Sequence, residues 1–225
     1  MSARLLAPAL LLATVPAFAA GTPIDQTRPL AADGRVSIEN LKGEVRVRTW
    51  DRPEVRITGT LGEGVEKLLV EGGGDSLSIQ VKYPRGGGGW FSRANTSEPS
   101  QIEVTLPATA ALDVDAVSAR VDIGGLRGGR LTVDSVSGEV RVRDSRLASV
   151  RIDSVSGDVD AGLESADISV DTVSGDIRLD GGAGDKLSVE TVSGDASLRM
   201  GELQRVRMET VSGDLELAAR LARGG

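Results

Sequence analysis

Residues Ile168–Leu179 read Ile-Ser-Val-Asp-Thr-Val-Ser-Gly-Asp-Ile-Arg-Leu, and the chain repeats this stretch. The Val-Ser-Gly-Asp segment at its centre, Val173–Asp176, recurs in steps of 18 or 19 residues, with a degenerate first copy. A constant period of this length is the signature of a repeat architecture. The six successive units begin at Leu112, Leu131, Val150, Ile168, Leu187 and Val206.

Each unit has the same internal pattern. Apolar residues occupy positions one, three, six, ten and twelve, and most units carry Ser-Gly-acidic at positions seven to nine. The period-two alternation of β-branched residues predicts short strands. Ser-Gly-Asp is typical of a turn in which glycine adopts positive φ. The unit is therefore strand, corner, strand and loop.

One such unit cannot bury its apolar face alone, but stacked units can if equivalent strands pair in parallel. The sequence therefore predicts an all-β protein, a β-solenoid similar to a parallel β-helix. Its coils have about 19 residues and enclose a thin core of Val, Leu and Ile. Because position six is Val in all six units, we expect a continuous internal valine ladder from Val117 to Val211. An antiparallel meander of hairpins is the competing arrangement.

The chain divides into four parts, of which the last two form one domain. We predict a signal peptide at 1–19, an N-terminal lead at 20–35, irregular β coils at 36–111 and the regular repeat at 112–225. A glycine-rich loop at 84–101 interrupts the irregular coils. Val36 begins a stretch that fits the repeat template, and Val55 begins a weaker turn.

The N-terminus has the features of an export signal. Arg4 supplies the positive charge, Leu5–Ala17 is apolar, and Ala17-Phe18-Ala19 precedes a predicted cut before Ala20. The apolar run is about 13 residues, whereas a transmembrane helix needs about 20. We therefore expect an exported protein, periplasmic or extracellular, without a membrane span.

The composition excludes several kinds of chemistry. The chain has no Cys and no His, and aromatic residues make up 2%. These absences exclude histidine-based nucleophiles, histidine-ligated metals, disulfides and cysteine-ligated metal sites. The net charge of −7 disfavours nucleic acid as a partner.

The run Gly34–Arg48, followed by Trp50-Asp51, resembles the opening of a bacterial family of domains of unknown function, described as a putative adhesin with β-strand repeats. The repeated Thr-Val-Ser-Gly-Asp segments resemble the body of that family, and Thr105-Leu106-Pro107 resembles its mid-domain boundary. The resemblance covers the chain from Gly34 onward. It implies an exported, non-enzymatic β-solenoid with an adhesive or envelope role, and it supplies no catalytic residues.

Acidic residues recur at positions four and nine of the units. Stacked carboxylates about 4.8 Å apart repel each other, so bound cations or hydrogen bonds must offset the repulsion. Calcium bridging adjacent coils is one hypothesis. The favoured alternative is that the carboxylates accept hydrogen bonds from turn amides, and we predict no cofactor. The calcium hypothesis involves Asp134, Asp153, Asp171, Asp158, Asp176 and Asp195.

Hydroxyl side chains recur at positions five and seven. A nucleophilic serine needs a nearby base, and the chain has no His, so we interpret these residues as stacked hydroxyls that bond along the solenoid. Paired carboxylates could hydrolyse a polysaccharide, but an active site usually breaks local regularity. We predict no enzymatic activity, and a polysaccharide-acting enzyme is a distant alternative.

The glycine-rich loop contains the only adjacent aromatic pair, Trp90 and Phe91, between Arg85 and Arg93. Exposed aromatics in a loop are typical of a contact site, and we name these four residues as a partner-binding candidate. The alternative is that they cover an open flank of the solenoid.

We therefore predict an exported, adhesin-like β-repeat protein that presents a binding surface in the cell envelope. The alternative is a periplasmic scaffold or sensing module that binds a partner protein. The expected partner is an envelope protein or a surface polymer. The last coil has no obvious cap, so edge-to-edge self-association is also expected.

Overall fold

The computed structural model describes residues 21–84, 97–182 and 184–222, and its regular structure is all β. No helix in these ranges is long and apolar enough to cross a membrane. The strands are β1 (Thr22–Trp50), β2 (Glu54–Leu61), β3 (Lys67–Lys82), β4 (Ser100–Pro107), β5 (Ala111–Gly124), β6 (Arg130–Ser135), β7 (Val140–Ser154), β8 (Val159–Ser174), β9 (Ile177–Gly181), β10 (Gly184–Ser193), β11 (Ala196–Ser212) and β12 (Leu215–Leu221).

The repeat units stack in parallel and in register. Position one of each unit pairs with position one of the next, from Leu112 with Leu131 to Leu187 with Val206. Position ten forms a second parallel ladder, from Val121 to Leu215. The all-β prediction and the parallel pairing are confirmed, and the antiparallel meander is wrong for the repeat. We call this arrangement solenoid-like.

The core consists of the inward positions of both ladders. Positions one and three are at most 4% exposed in the first five units. They are all Val, Leu or Ile, and burial of each such side chain stabilises the fold by about 1.5–3 kcal/mol relative to exposure. A thin, regular core of branched aliphatic side chains therefore holds the stack together, as predicted.

The prediction of an internal valine ladder is wrong. The position-six valines from Val117 to Val192 are 37–47% exposed, and Val211 is 82% exposed. The strand continues through position five without a corner, and alternate side chains of a strand point to opposite faces. Position five therefore points inward, whereas position six points outward on the same face as the acidic position four. Buried hydroxyl residues such as Ser135 and Thr172 therefore occupy the place expected for valine.

The glycine at position eight is required by close packing of adjacent coils. A Cβ atom at Gly157 would lie 2.1 Å from the carbonyl oxygen of Gly138. The turn interpretation predicted positive φ at this position, but only Gly194 and Gly213 of the repeat glycines have it. The position-eight glycines thus share a need for the absence of a side chain, and they do not share a backbone with positive φ.

In the N-terminal half, the order of the strands in the sheet differs from their order along the chain. Val36 of β1 pairs with Leu112 of β5, as the template predicted, but β3 pairs with the other edge of β1. The prediction that Val55 begins another turn is wrong, since its strand β2 pairs antiparallel with both β1 and β4. The predicted lead contains a strand segment, Thr22–Pro29, which supplies that antiparallel partner.

Candidate functional site

A groove of about 1240 Å³ runs along the stack of coils. Positions four, five and six of every repeat unit line it, and residues at the end of β3 close one end. Its apolar lining, which we name the valine ladder, is Val117, Val136, Val155, Val173, Val192 and Val211, with Leu41 at the equivalent place in β1. Its acidic lining, which we name the groove carboxylates, is Glu39, Asp115, Asp134, Asp153, Asp171, Glu190 and Glu209.

The groove carboxylates stand one per coil. Each pairs in register with the next across the parallel strands. Strands in a sheet lie about 4.8 Å apart, so neighbouring carboxylates repel each other. The repeat therefore places a row of like charges along the groove, and nearby positive charges are needed to offset the repulsion between them.

Two arginines offset part of this repulsion by bridging adjacent rungs. Arg151 contacts Asp153 at 2.8 Å and Asp171 at 3.3 Å. Arg207 contacts Glu190 at 3.4 Å and Glu209 at 2.9 Å. A guanidinium group can thus satisfy two carboxylates one coil apart. Burial, followed by the hydrogen bond and charge of Asp153, still raises the pKa of Asp171.

Asp115 and Asp134 form no ion pair with any described residue. Partial desolvation in the groove raises the pKa of Asp115, and the charges of Asp134, Glu39 and Asp113 raise it further. Desolvation and the neighbouring Asp153 likewise raise the pKa of Asp134. The charge of Arg151 lowers the pKa of Asp134 but does not cancel these effects, and Lys82 lines the β3 end of the groove. This part of the groove therefore has an excess of negative charge that no described ion pair neutralises.

The end of the groove near β3 contains a buried amide. Asn40 is 3% exposed, and its Oδ1 accepts a hydrogen bond from the Tyr83 hydroxyl at 3.2 Å. Its Nδ2 has no hydrogen-bond partner within the described ranges. Burial raises the pKa of the Tyr83 phenol, whose hydroxyl also donates toward the backbone carbonyl of Lys42 at 3.4 Å.

The position-nine residues Asp158, Asp176, Asp195 and Asp214, which we name the turn carboxylates, lie outside the groove. Asp158 Oδ1 accepts a hydrogen bond from the backbone N–H of Asp176 at 3.0 Å. Asp176 and Asp195 accept the same bond from the following coil, at 3.2 and 2.9 Å. The interpretation that the repeat carboxylates accept hydrogen bonds from turn amides is confirmed for these three residues. It is wrong for Glu139, which contacts Arg120 and Arg141, and for the position-four acids, which line the groove.

The calcium hypothesis had combined these two sets. Asp134, Asp153 and Asp171 line the groove, whereas Asp158, Asp176 and Asp195 bond turn amides. Within the ranges that the structure covers, no three acidic side chains come close enough to hold a metal ion. The six residues therefore do not form one array.

The position-five hydroxyls point inward and are nearly inaccessible. Ser154 Oγ bonds within its own turn, accepting from the Gly157 N–H at 3.2 Å. The hydroxyls of Ser135, Thr172, Thr191 and Thr210 have no partner among the described atoms. The expectation that they bond along the solenoid is wrong for these four.

The loop residues Arg85, Trp90, Phe91 and Arg93 lie outside the described residues, as does the segment predicted as a signal peptide. The sequence interpretation missed the groove because it placed position six inside. The signal was present: positions one, three and five share one parity, and valine at six shares its parity with the acid at four.

The fold and the groove define a class, an all-β repeat protein with an extended open groove. Residues 34–222 match the model of the Toastrack DUF4097 family, and the chain belongs to this family. The predicted resemblance to a putative-adhesin family of unknown function is thereby confirmed.

Several solved structures to which this chain is similar are named as adhesins or adhesion proteins, and one is named as a putative lipid binding protein. A putative adhesin from Parabacteroides distasonis has 13% identity and a TM-score of 0.53, over 88% of this chain and 98% of that one. A putative adhesin from Bacteroides fragilis has 13% identity and a TM-score of 0.44, over 87% and 97%. A putative cell adhesion protein from Clostridium sporogenes has 10% identity and a TM-score of 0.41, over 89% and 100%. No curated protein matches the chain.

Proposed function

We propose that this chain is an exported, non-enzymatic β-solenoid protein of the cell envelope that binds a partner along its groove, in the manner of an adhesin. The observation that carries the proposal is the exposed valine ladder. Six aligned position-six valines are exposed to solvent, whereas the apolar side chains at positions one and three of the first five units are buried. A contiguous apolar strip with a polar rim is typical of an interaction surface.

The chemistry of the groove supports binding rather than catalysis. Each coil contributes nearly the same acid, hydroxyl and valine, whereas an active site normally breaks the regularity of its fold. The chain has no His, and the inward hydroxyls that lack a hydrogen-bond partner have no base within reach among the described residues. Repetition instead favours many weak contacts that add along one ligand.

The N-terminal sequence supports export, since Arg4, the apolar run Leu5–Ala17 and the small residues before Ala20 form a signal-peptide pattern. The names of the structural relatives support an adhesive role. The partner would be an envelope protein or a surface polymer. A scaffold that holds one envelope protein is the alternative role of the same groove.

Photo-crosslinking in cells tests the proposal. A photo-crosslinking amino acid replaces Val155 in the groove, or the exposed Asp180 on the outer face of β9 as the matched control. We expect crosslinked products from position 155 but not from position 180, with the protein in the periplasmic or extracellular fraction. Equal crosslinking from both positions, or retention in the cytoplasm, would contradict the proposal. Release of reducing ends from polysaccharides would contradict its non-enzymatic part.

A further inference from the structure

The shape and charge of the groove point to one class of occupant. Resting on the proposed function, we propose that the groove binds a cationic amphipathic α-helix of a partner protein. The apolar stripe of the helix packs on the valine ladder, and its Lys and Arg side chains reach the groove carboxylates.

The repeat of the valine ladder matches the turn of a helix. Adjacent rungs lie about 4.8 Å apart, the spacing of strands in a sheet. Apolar residues at i, i+3 and i+4 of an α-helix advance by about 4.5–6 Å along its axis. A helical turn of about 5.4 Å is thus close to one rung, so an apolar stripe with one or two side chains per turn stays on the valine ladder while drifting by about 0.6 Å per rung.

The dimensions of the groove also suit a helix. Seven rungs, from Leu41 to Val211, span about 29 Å, the length of a helix of about 19 residues. The groove is therefore long enough for a helix that lies along it, and the exposed valine ladder provides the apolar surface that helix-in-groove recognition uses.

The charges of the groove select a cationic occupant. Arg151 and Arg207 already bridge pairs of groove carboxylates toward one end. Glu39, Asp115 and Asp134, toward the other end, are not bridged by an arginine among the described residues. Gln80 donates a hydrogen bond to Glu39, and Lys82 is the one lysine among the described residues that line the groove. A lysine or arginine from the occupant can repeat the bridge there, between rungs of the same spacing.

A second observation at the same end also indicates an occupant. Asn40 is 3% exposed, lines the groove and has an Nδ2 without a hydrogen-bond partner in the described ranges. An unpaired buried donor is costly, so an acceptor supplied by a ligand is favoured.

Other occupants fit the charges less well. A second copy of the chain carries a net charge of −7 and would face an acidic groove. An anionic lipid headgroup or a nucleic acid would meet the same repulsion. A neutral acyl chain would contact the valines but leave the carboxylates uncompensated.

Binding of designed peptides to the purified full chain tests this inference. The probe is a peptide of about 20 Leu and Lys residues with helical periodicity. One control has the same composition without that periodicity, and another replaces each Lys with Glu. We expect the periodic cationic peptide to bind at least about tenfold more tightly than either control, a difference that two or more ion pairs and a matched apolar stripe can supply. We also expect its circular dichroism to become helical on binding.

Matched charge variants of the protein locate the peptide. D115N/D134N and D158N/D176N each remove two negative charges, the first from the groove and the second from the turns. We expect D115N/D134N to weaken peptide binding about tenfold and D158N/D176N to leave it unchanged. A further variant, Val155→Lys, places a positive charge on the ladder and should abolish binding.

Several results would overturn the inference. Equal binding of the scrambled peptide would exclude the helix, and equal weakening by both double variants would indicate non-specific charge attraction. Binding of a fatty acid without binding of the periodic peptide would show that the groove binds a lipid and not a helix. If the peptide fails to bind while groove crosslinks persist in cells, the inference fails and the proposed function stands. If those crosslinks are also absent, both fail.

Discussion

The two carboxylate ladders of this protein have similar residues at the same coil spacing, yet they occupy different environments. Each turn carboxylate from Asp158 to Asp195 accepts a backbone hydrogen bond from the following coil. The groove carboxylates line up beside a row of exposed valines, and the pKa values of Asp115 and Asp134 are raised although neither forms an ion pair within the described residues. One ladder therefore joins the coils, whereas the other retains charge that a ligand can satisfy.

The apolar residues show the same division. Ile152, at position three of its unit, is fully buried, whereas Val155, three residues later, is 44% exposed. Both are β-branched residues of one repeat. The comparison teaches that recurrence in a repeat marks a stacked position but does not show whether that position is interior or exposed.

The largest expected effect separates these two apolar positions. Ile152→Ala should lower the free energy of unfolding by about 2–5 kcal/mol, because it leaves a cavity in a closely packed core. Val155→Ala should change it by no more than about 0.5 kcal/mol, since the side chain already contacts water. Urea unfolding of both variants measures the difference. Equal losses would mean that the valine ladder is interior, as the sequence first indicated.

The next effect concerns the close approach of coils at the turns. Gly157→Ala should destabilise the protein by about 1–3 kcal/mol, because the added methyl overlaps the carbonyl of Gly138. Gly162→Ala is the matched control in the same region, since nothing lies within 4 Å of its added Cβ. Thermal unfolding should show a lowered melting temperature for the first variant only. A neutral Gly157→Ala would show that adjacent turns are not in tight contact.

A smaller effect compares the two carboxylate ladders directly. Asp176→Ala removes the acceptor of the Asp195 N–H and should cost about 1 kcal/mol. Asp134→Asn removes repulsion in the groove and should stabilise the protein by no more than about 0.5 kcal/mol. Chemical denaturation at neutral pH measures both. A destabilised Asp134→Asn would place structural hydrogen bonds in the groove.

The smallest effect is a pH dependence of stability that originates in the groove. The pKa values of Asp115, Asp134 and Asp171 are raised in the folded state, so the folded chain binds these protons more tightly than the unfolded chain. Above the raised folded-state pKa values, these three carboxylates lower the free energy of unfolding by their full amount. This destabilisation is relieved as the pH falls from the folded-state pKa values toward the unfolded-state values. D115N/D134N should therefore gain less stability than the parent chain on mild acidification. Identical pH profiles in denaturant titrations would contradict this origin.

Much of the architecture was predictable from the sequence because it depends on local alternation and on a fixed period. Positions one, three, ten and twelve were assigned to the core, and that assignment holds. The repeat acids of positions four and nine were both assigned to turn amides, which holds for Asp158, Asp176 and Asp195. The six valines were misplaced because their recurrence was taken as a sign of burial, although position six has the parity of the outward position four. The antiparallel β2 was also missed, because its partner, Thr22–Pro29, lies in a segment without the repeat pattern.

The sequence by itself determined an all-β chain of stacked units, their register and the composition of their thin core, because alternation and period follow directly from residue order. Only the tertiary structure decided that the strands continue through position five, that β3 stacks on the far edge of β1, and that position-six valines and position-four acids line one groove. These features depend on where the backbone bends and which edges meet. The positions of the bends and the pairing of the edges follow from packing between coils that are distant in sequence, and no single coil specifies them.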